Sequence, residues 1–268
     1  MSPRVFWSVL SVEARKRLGY RADFWVQSFV GFVAEFGLVW FLWRAMYVES
    51  GRVAMGGLDL HGMVLYQVGV VLLGKLVRGP EIEGAVSQDI YDGSLSRYLL
   101  YPARYPVFKY AQHLGSLLPA TVQLVLFGVW FPIALELPEG AGPLSLLAAV
   151  PAVLAGNLLY FLMSYGLQSV AFWAENVWSL LVALRLVTTI LGGAMVPLAM
   201  FPGWARDALW FTPFPYLYAF PVDTLLGQVG PLAWARGIAV TLLWCSVTAA
   251  AGRAVFRRGT LQYSGVGM

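Results

Sequence analysis

Side chains able to do covalent or metal chemistry are scarce: two histidines, one cysteine and fourteen carboxylates in 268 residues. Neither His61 nor His113 belongs to a His-Glu-x-x-His run, and the topology derived below puts them on opposite sides of a membrane. Cys245 stands alone inside an apolar run, so no disulfide framework or cysteine metal set is available, and the sulfur reads as a small buried hydrophobe. No nucleophile–base pair is legible. The sequence predicts a protein that is not an enzyme and holds no metal.

One stretch imitates a phosphate-binding loop. Gly69-Val-Val-Leu-Leu-Gly74-Lys75 matches most of the pattern, but Leu76 follows where Ser or Thr is required. A strand–loop–helix cannot form inside an apolar span, so no ATP site is expected in this chain.

The carboxylates are distributed unevenly. Glu81, Glu83, Asp89 and Asp92 fall between Pro80 and Tyr105, a long polar interval flanked by Lys75, Arg78, Arg97, Arg104 and Lys109. Ile82, Val86, Ile90, Leu95 and Leu99 roughly keep helical spacing through it, interrupted at Gly93. The spacing predicts one or two short helices on the membrane surface, with Asp92-Gly93-Ser94 turning between them. Exposed ion pairs contribute little energy, so Ile82, Ile90 and Tyr91 are expected to dominate any docking there. The ionisable residues deepest in apolar runs are Glu35 and Arg185, which either pair with each other, line a substrate path or lie nearer an interface. Gln67 and Asn157 join them as candidates for the path, although such amides more often hydrogen-bond between helices.

The elements that must position these residues are membrane helices. The chain is 59% hydrophobic and only 12% charged, with a mean hydropathy of +0.69. A soluble domain carries about 25% charged residues. A hydrocarbon core about 30 Å thick takes about 20 apolar residues of helix. Six runs qualify as spans: residues 24–48, 61–77, 107–135, 144–171, 177–198 and 232–255. They form a single all-α polytopic domain over 1–268. Residues 3–20 are predicted to form an amphipathic interfacial helix, with Phe6, Val9, Leu10 and Leu18 on one flank. The first 23 residues lack a continuous apolar core, so the first span is expected to act as an uncleaved anchor. Residues 192–227 carry too many prolines for one straight helix and predict a partly inserted broken hairpin at the outer interface.

Basic residues orient the spans. Arg4, Arg15, Lys16, Arg17, Arg21, Lys75, Arg78, Arg97, Arg104, Lys109, Arg253, Arg257 and Arg258 all fall on one side of the six-span layout, out of 18 Lys and Arg. That places both termini in the cytoplasm. The net charge of +4 is therefore topological and no signal for nucleic acid.

Several segments taken together resemble a known family. They are Tyr20 to Trp25, Ile90-Tyr91-Asp92-Gly93-Ser94-Leu95-Ser96-Arg97-Tyr98-Leu99-Leu100-Tyr101-Pro102, Val196 through Pro202 to Phe214, and Arg258 to Gly265. In order and spacing the chain is similar to ABC-2 type ABC-transporter permeases, more narrowly the daunorubicin-resistance-like permeases with six spans. The resemblance implies a permease of an ATP-driven exporter in the bacterial plasma or inner membrane. Two permeases, identical or related, would pair there, and each would dock one of two ATPase subunits that bind ATP and Mg. It also implies that residues 80–105 form the coupling segment, with Glu81, Ile82, Glu83, Gln88, Asp89, Ile90, Tyr91, Asp92, Gly93 and Ser94 facing the ATPase. The other class considered is a secondary-active transporter of a small amphipathic solute. Against it, the span pattern shows no inverted repeat.

Overall fold

The computed structural model describes residues 2–18, 21–79, 82–101, 103–134, 137–138 and 140–263; within these, 17–18, 21–29, 32, 82–83 and 127–134 are described by backbone alone. Regular structure among the described residues is helical: α1 (Pro3–Leu18), α2 (Arg21–Ser50), α3 (Leu60–Arg78), α4 (Ile82–Tyr91), α5 (Leu95–Leu99), α6 (Tyr105–Ser116), α7 (Leu118–Ala134), α8 (Pro143–Gln168), α9 (Trp178–Leu191), α10 (Gly203–Leu209), α11 (Ala219–Leu225) and α12 (Pro231–Thr260).

Among the described residues three helices are long and apolar enough to cross a membrane: α3, α8 with its 3-10 extension to Phe172, and α12. α9 is apolar but spans only 14 residues. At about 1.5 Å per residue, the 30-residue α2 is about 45 Å long, more than a bilayer core needs. The stretch expected as one span over 107–135 is two helices, α6 and α7, that break at Leu117. Pro119 has no N–H to offer the Gly115 carbonyl, so an unbroken helix would leave that acceptor unpaired.

Local signals explain the ends of α3. The Asp59 carboxylate accepts from the Gly62 N–H at 2.8 Å, and Gly79 closes the other end at φ 65°, its N–H donating to the Lys75 carbonyl. Lys75 and Arg78 occupy the last turn, where cations complement the helix dipole. This will be called the basic end of the bundle.

α8 lies at the centre, against α3, α11 and α12. α8 and α12 cross where two glycines meet, and a Cβ on Gly166 would lie 3.3 Å from the Gly252 Cα. Small residues let helix backbones approach, which is how packing is gained where no water drives it. Trp234 Nε1 donates to the Ala148 carbonyl at 2.9 Å and Cys245 is buried between the two helices. α2 packs along α3, with Phe36 and Trp40 against Val64, Val68 and Leu72, and Trp43 and Tyr47 against Met55 and Met63. Trp43 and Tyr47 are buried, and the Tyr47 hydroxyl donates to the Leu58 carbonyl at 2.6 Å.

α1 docks on α6. A Cβ on Gly115 would lie 2.5 Å from the Leu10 carbonyl oxygen, so the two backbones nearly touch there. Phe6, Val9 and Leu10 are half-buried toward this contact, while Val5, Trp7 and Val12 are exposed. Leu18 of the same flank lies outside the described side chains.

The stretch after α9 packs into the bundle. α9 stops at Gly192, the chain passes α10, and residues 213–218 and α11 then pack against α3 and α8. Three glycines accept this insertion. A Cβ on Gly156 would sit 3.0 Å from the Tyr216 carbonyl oxygen, one on Gly74 3.3 Å from the Tyr218 ring, and one on Gly69 3.0 Å from Val222 Cγ1. Tyr216, Leu217 and Tyr218 are accordingly buried.

Candidate functional site

The interval predicted to meet a soluble partner is held rigidly to the bundle. Gly84 adopts φ 100°, a conformation that side chains disfavour, and it breaks the start of α4. The Val86 and Ser87 amides just after it take an acceptor from outside the helix. Gln168, fully buried at the end of α8, supplies one: its Oε1 accepts from the Val86 N–H at 2.8 Å and the Ser87 N–H at 3.3 Å. Its own Nε2 donates to Ser164 Oγ at 2.9 Å.

A second anchor is ionic. Lys109 Nζ of α6 lies 2.5 Å from Asp89 Oδ2, and the Tyr105 hydroxyl donates to the same oxygen at 2.6 Å. Ser94 Oγ donates to Asp89 Oδ1 at 3.2 Å, across the turn that Gly93 makes at φ 73°. Both charged side chains are nearly buried, and Lys109 also lies 4.6 Å from the centre of the Tyr98 ring. The Tyr105 phenol is pushed far up, by burial first and then by the Asp89 carboxylate, so it stays a neutral donor. A third anchor is the Tyr91 hydroxyl, which donates to the Ala174 carbonyl at 3.0 Å in the turn between α8 and α9.

These anchors sort the residues predicted for docking. Ile90 is 1% exposed and packs into the core of this chain, as Val86 does. Asp89 and Tyr91 face inward through the contacts just described. Gln88 and Asp92 are exposed and bonded to each other, Nε2 to Oδ1 at 2.7 Å. Beyond Gly93 and Ser94, the exposed side chains are Ser96, Arg97, Leu99, Leu100, Tyr101 and Arg104. Glu81 lies outside the described residues, as do the side chains of Ile82 and Glu83.

The four residues predicted for a path do not converge. Glu35 Oε2 lies 3.0 Å from Lys75 Nζ, one turn from the basic end of α3, and does not meet Arg185. Arg185 is exposed halfway along α9. Gln67 Nε2 donates to the Met195 carbonyl at 3.4 Å. Asn157 Nδ2 of α8 lies 2.8 Å from the Leu76 carbonyl oxygen, 3.2 Å from that of Val77 and 2.8 Å from His113 Nε2, tying α3, α6 and α8 together. Both amides bond between segments.

The helix break after α9 frees carbonyls at depth, and these need donors where water is excluded. The Tyr66 hydroxyl donates to the Gly193 carbonyl at 2.8 Å, and the Ala219 N–H to that of Gly192 at 3.0 Å. Beside this break stands Asp223 on α11, a residue the sequence reading passed over. Its signal, a lone carboxylate among apolar residues, was hidden by prolines that made 192–227 read as an outer-interface hairpin.

No curated protein matches the chain. A family profile described as ABC-2 family transporter protein matches residues 33–267. That range runs from the middle of α2 past the end of α12 and takes in the anchored α4–α5 segment and the inserted stretch before α12. The chain belongs to the ABC-2 family of transporter membrane proteins.

Proposed function

We propose that the chain is the permease subunit of an ATP-driven ABC exporter, forming half of a translocation path and driven by a separate ATPase that binds ATP and Mg. The observation that carries this is the three-point anchoring of α4. A surface segment tied by Gln168 to α8, by Lys109 and Tyr105 to α6, and by Tyr91 to the turn before α9 moves those helices when it is moved. A loosely attached loop would absorb a push. Here the push is delivered to the central helix of the bundle.

In this reading α2, α3, α6 with α7, α8, α9 with the inserted stretch, and α12 make six crossings. The basic end and both termini are cytoplasmic in a bacterial plasma membrane. Two permeases, identical or related, pair around the path, and each docks one of two ATPase subunits. The docking surface is the exposed side of 88–101: Gln88, Asp92, Arg97, Leu99, Leu100 and Tyr101. ATP biases the permease only through the different affinity of closed and open ATPase for the two arrangements of α4.

Purification from native membranes tests this. An ATPase subunit should accompany the chain, and replacing Leu99 and Leu100 with Asp should release it while leaving the permease folded. A chain that moves solute without any ATPase would be a secondary-active transporter instead.

A further inference from the structure

The Asp223 carboxylate has no hydrogen-bond or ion-pair partner among the described residues, and only its backbone carbonyl accepts, from the Gln228 N–H at 2.9 Å. Its depth is set by its neighbour: Val222 packs on Gly69, the middle residue of α3, about 14 Å from either end at 1.5 Å per residue. Asp223 is half-buried, and Val222 beside it is fully buried. Its field bears on Tyr66, but that hydroxyl already donates to Gly193. On α3, Lys75 lies on Glu35.

A carboxylate at mid-depth is costly, and one kept there without a partner in its own chain marks a binding position by default. We propose that Asp223 receives the positively charged group of a transported organic cation: an ammonium, quaternary ammonium or guanidinium borne on an apolar body. The proposal rests on the permease reading and names the solute class for it. A metal ion fits poorly, because a hard cation takes six or more oxygens. No cluster of three or more metal-ligating side chains occurs among the described residues. An organic cation needs one counter-charge and brings apolar surface of its own, which suits a carboxylate between Val222 and Tyr66.

The test uses the transporter purified with its accompanying subunits in lipid nanodiscs, without ATP, and tetraphenylphosphonium as the probe. D223N should weaken its binding about tenfold or more, D223E should keep it within about threefold, and binding of the equally bulky anion tetraphenylborate should not change. No measurable phosphonium binding by the wild type, or equal affinity in wild type and D223N, overturns the proposal. Should D223N fail to fold, carbodiimide coupling of an amine to the wild-type carboxyl, read by peptide mass spectrometry, replaces it. Phosphonium and not borate should protect Asp223, and an unprotected carboxyl overturns the proposal. Because ATP is absent, these outcomes stand apart from co-purification of an ATPase, which tests the permease assignment.

Discussion

Gln168 caps a helix to which it does not belong: its side-chain oxygen sits 2.8 Å from the Val86 amide, 82 positions earlier in the chain. An N-cap is ordinarily local, supplied by the residue that opens the helix. Gly84 breaks α4 so that its first amides turn toward α8, and the cap is delivered across the bundle. The orientation of the surface segment is thereby fixed by the central helix.

Removing that cap should uncouple the segment without unfolding the bundle. Q168L leaves two buried donors unpaired, at a cost of about 1–3 kcal/mol each. Amide hydrogen exchange across 85–92 should quicken, and solute moved per ATP hydrolysed should fall. Q168E keeps an acceptor oxygen at a helix N-terminus and should restore most of the ratio. Unchanged exchange in Q168L would remove the cap from the account.

The Asp89–Lys109 pair should behave as a unit. A double-mutant cycle with D89N and K109M should give an interaction energy of roughly 1–3 kcal/mol, read from thermal unfolding in detergent. Additive effects would mean the pair is not formed. Each single variant strands a nearly buried charge, so each should destabilise more than the double variant would suggest.

Glu35 should answer to Lys75 and not to Arg185. Exchanging charges as E35K with K75E should recover whatever each single change loses, and E35R with R185E should recover nothing. The stability effect should be small, about 0–1 kcal/mol, since both partners of the observed pair are partly exposed. Rescue by the Arg185 exchange would contradict the pairing.

Gly156 should control the depth of the inserted stretch. A valine there meets the Tyr216 carbonyl, and overpacking of this kind costs roughly 1–3 kcal/mol. In an L217C background the buried cysteine should resist a membrane-impermeant maleimide, and adding G156V should make it reactive. Equal labelling in both backgrounds would argue that the backbone of 213–218 does not pack on α8.

Much of the helical framework was readable from residue types alone. Apolar runs of sufficient length gave α3, α8 and α12, since burying backbone polar groups in hydrocarbon leaves a helix as the one local solution. Gly93 marked the turn after α4, and the isolation of Cys245 its burial. The break at Leu117 was half-visible, as Pro119 in a long run.

The pairing of polar side chains was decided only by tertiary structure. Asp89 is one carboxylate among four in its interval, and nothing in its spacing says that it turns to Lys109 while Asp92 faces out. Glu35 meets Lys75 because α2 and α3 pack at one particular register, and register between helices depends on contacts that periodicity within either one does not encode. Asp223 reads as an outer residue until Gly156, Gly74 and Gly69 are seen to admit the stretch before it. Sequence determined that this chain is a set of membrane helices with one polar interval. The close approaches of its glycines determined which charges that interval and that inserted stretch would present.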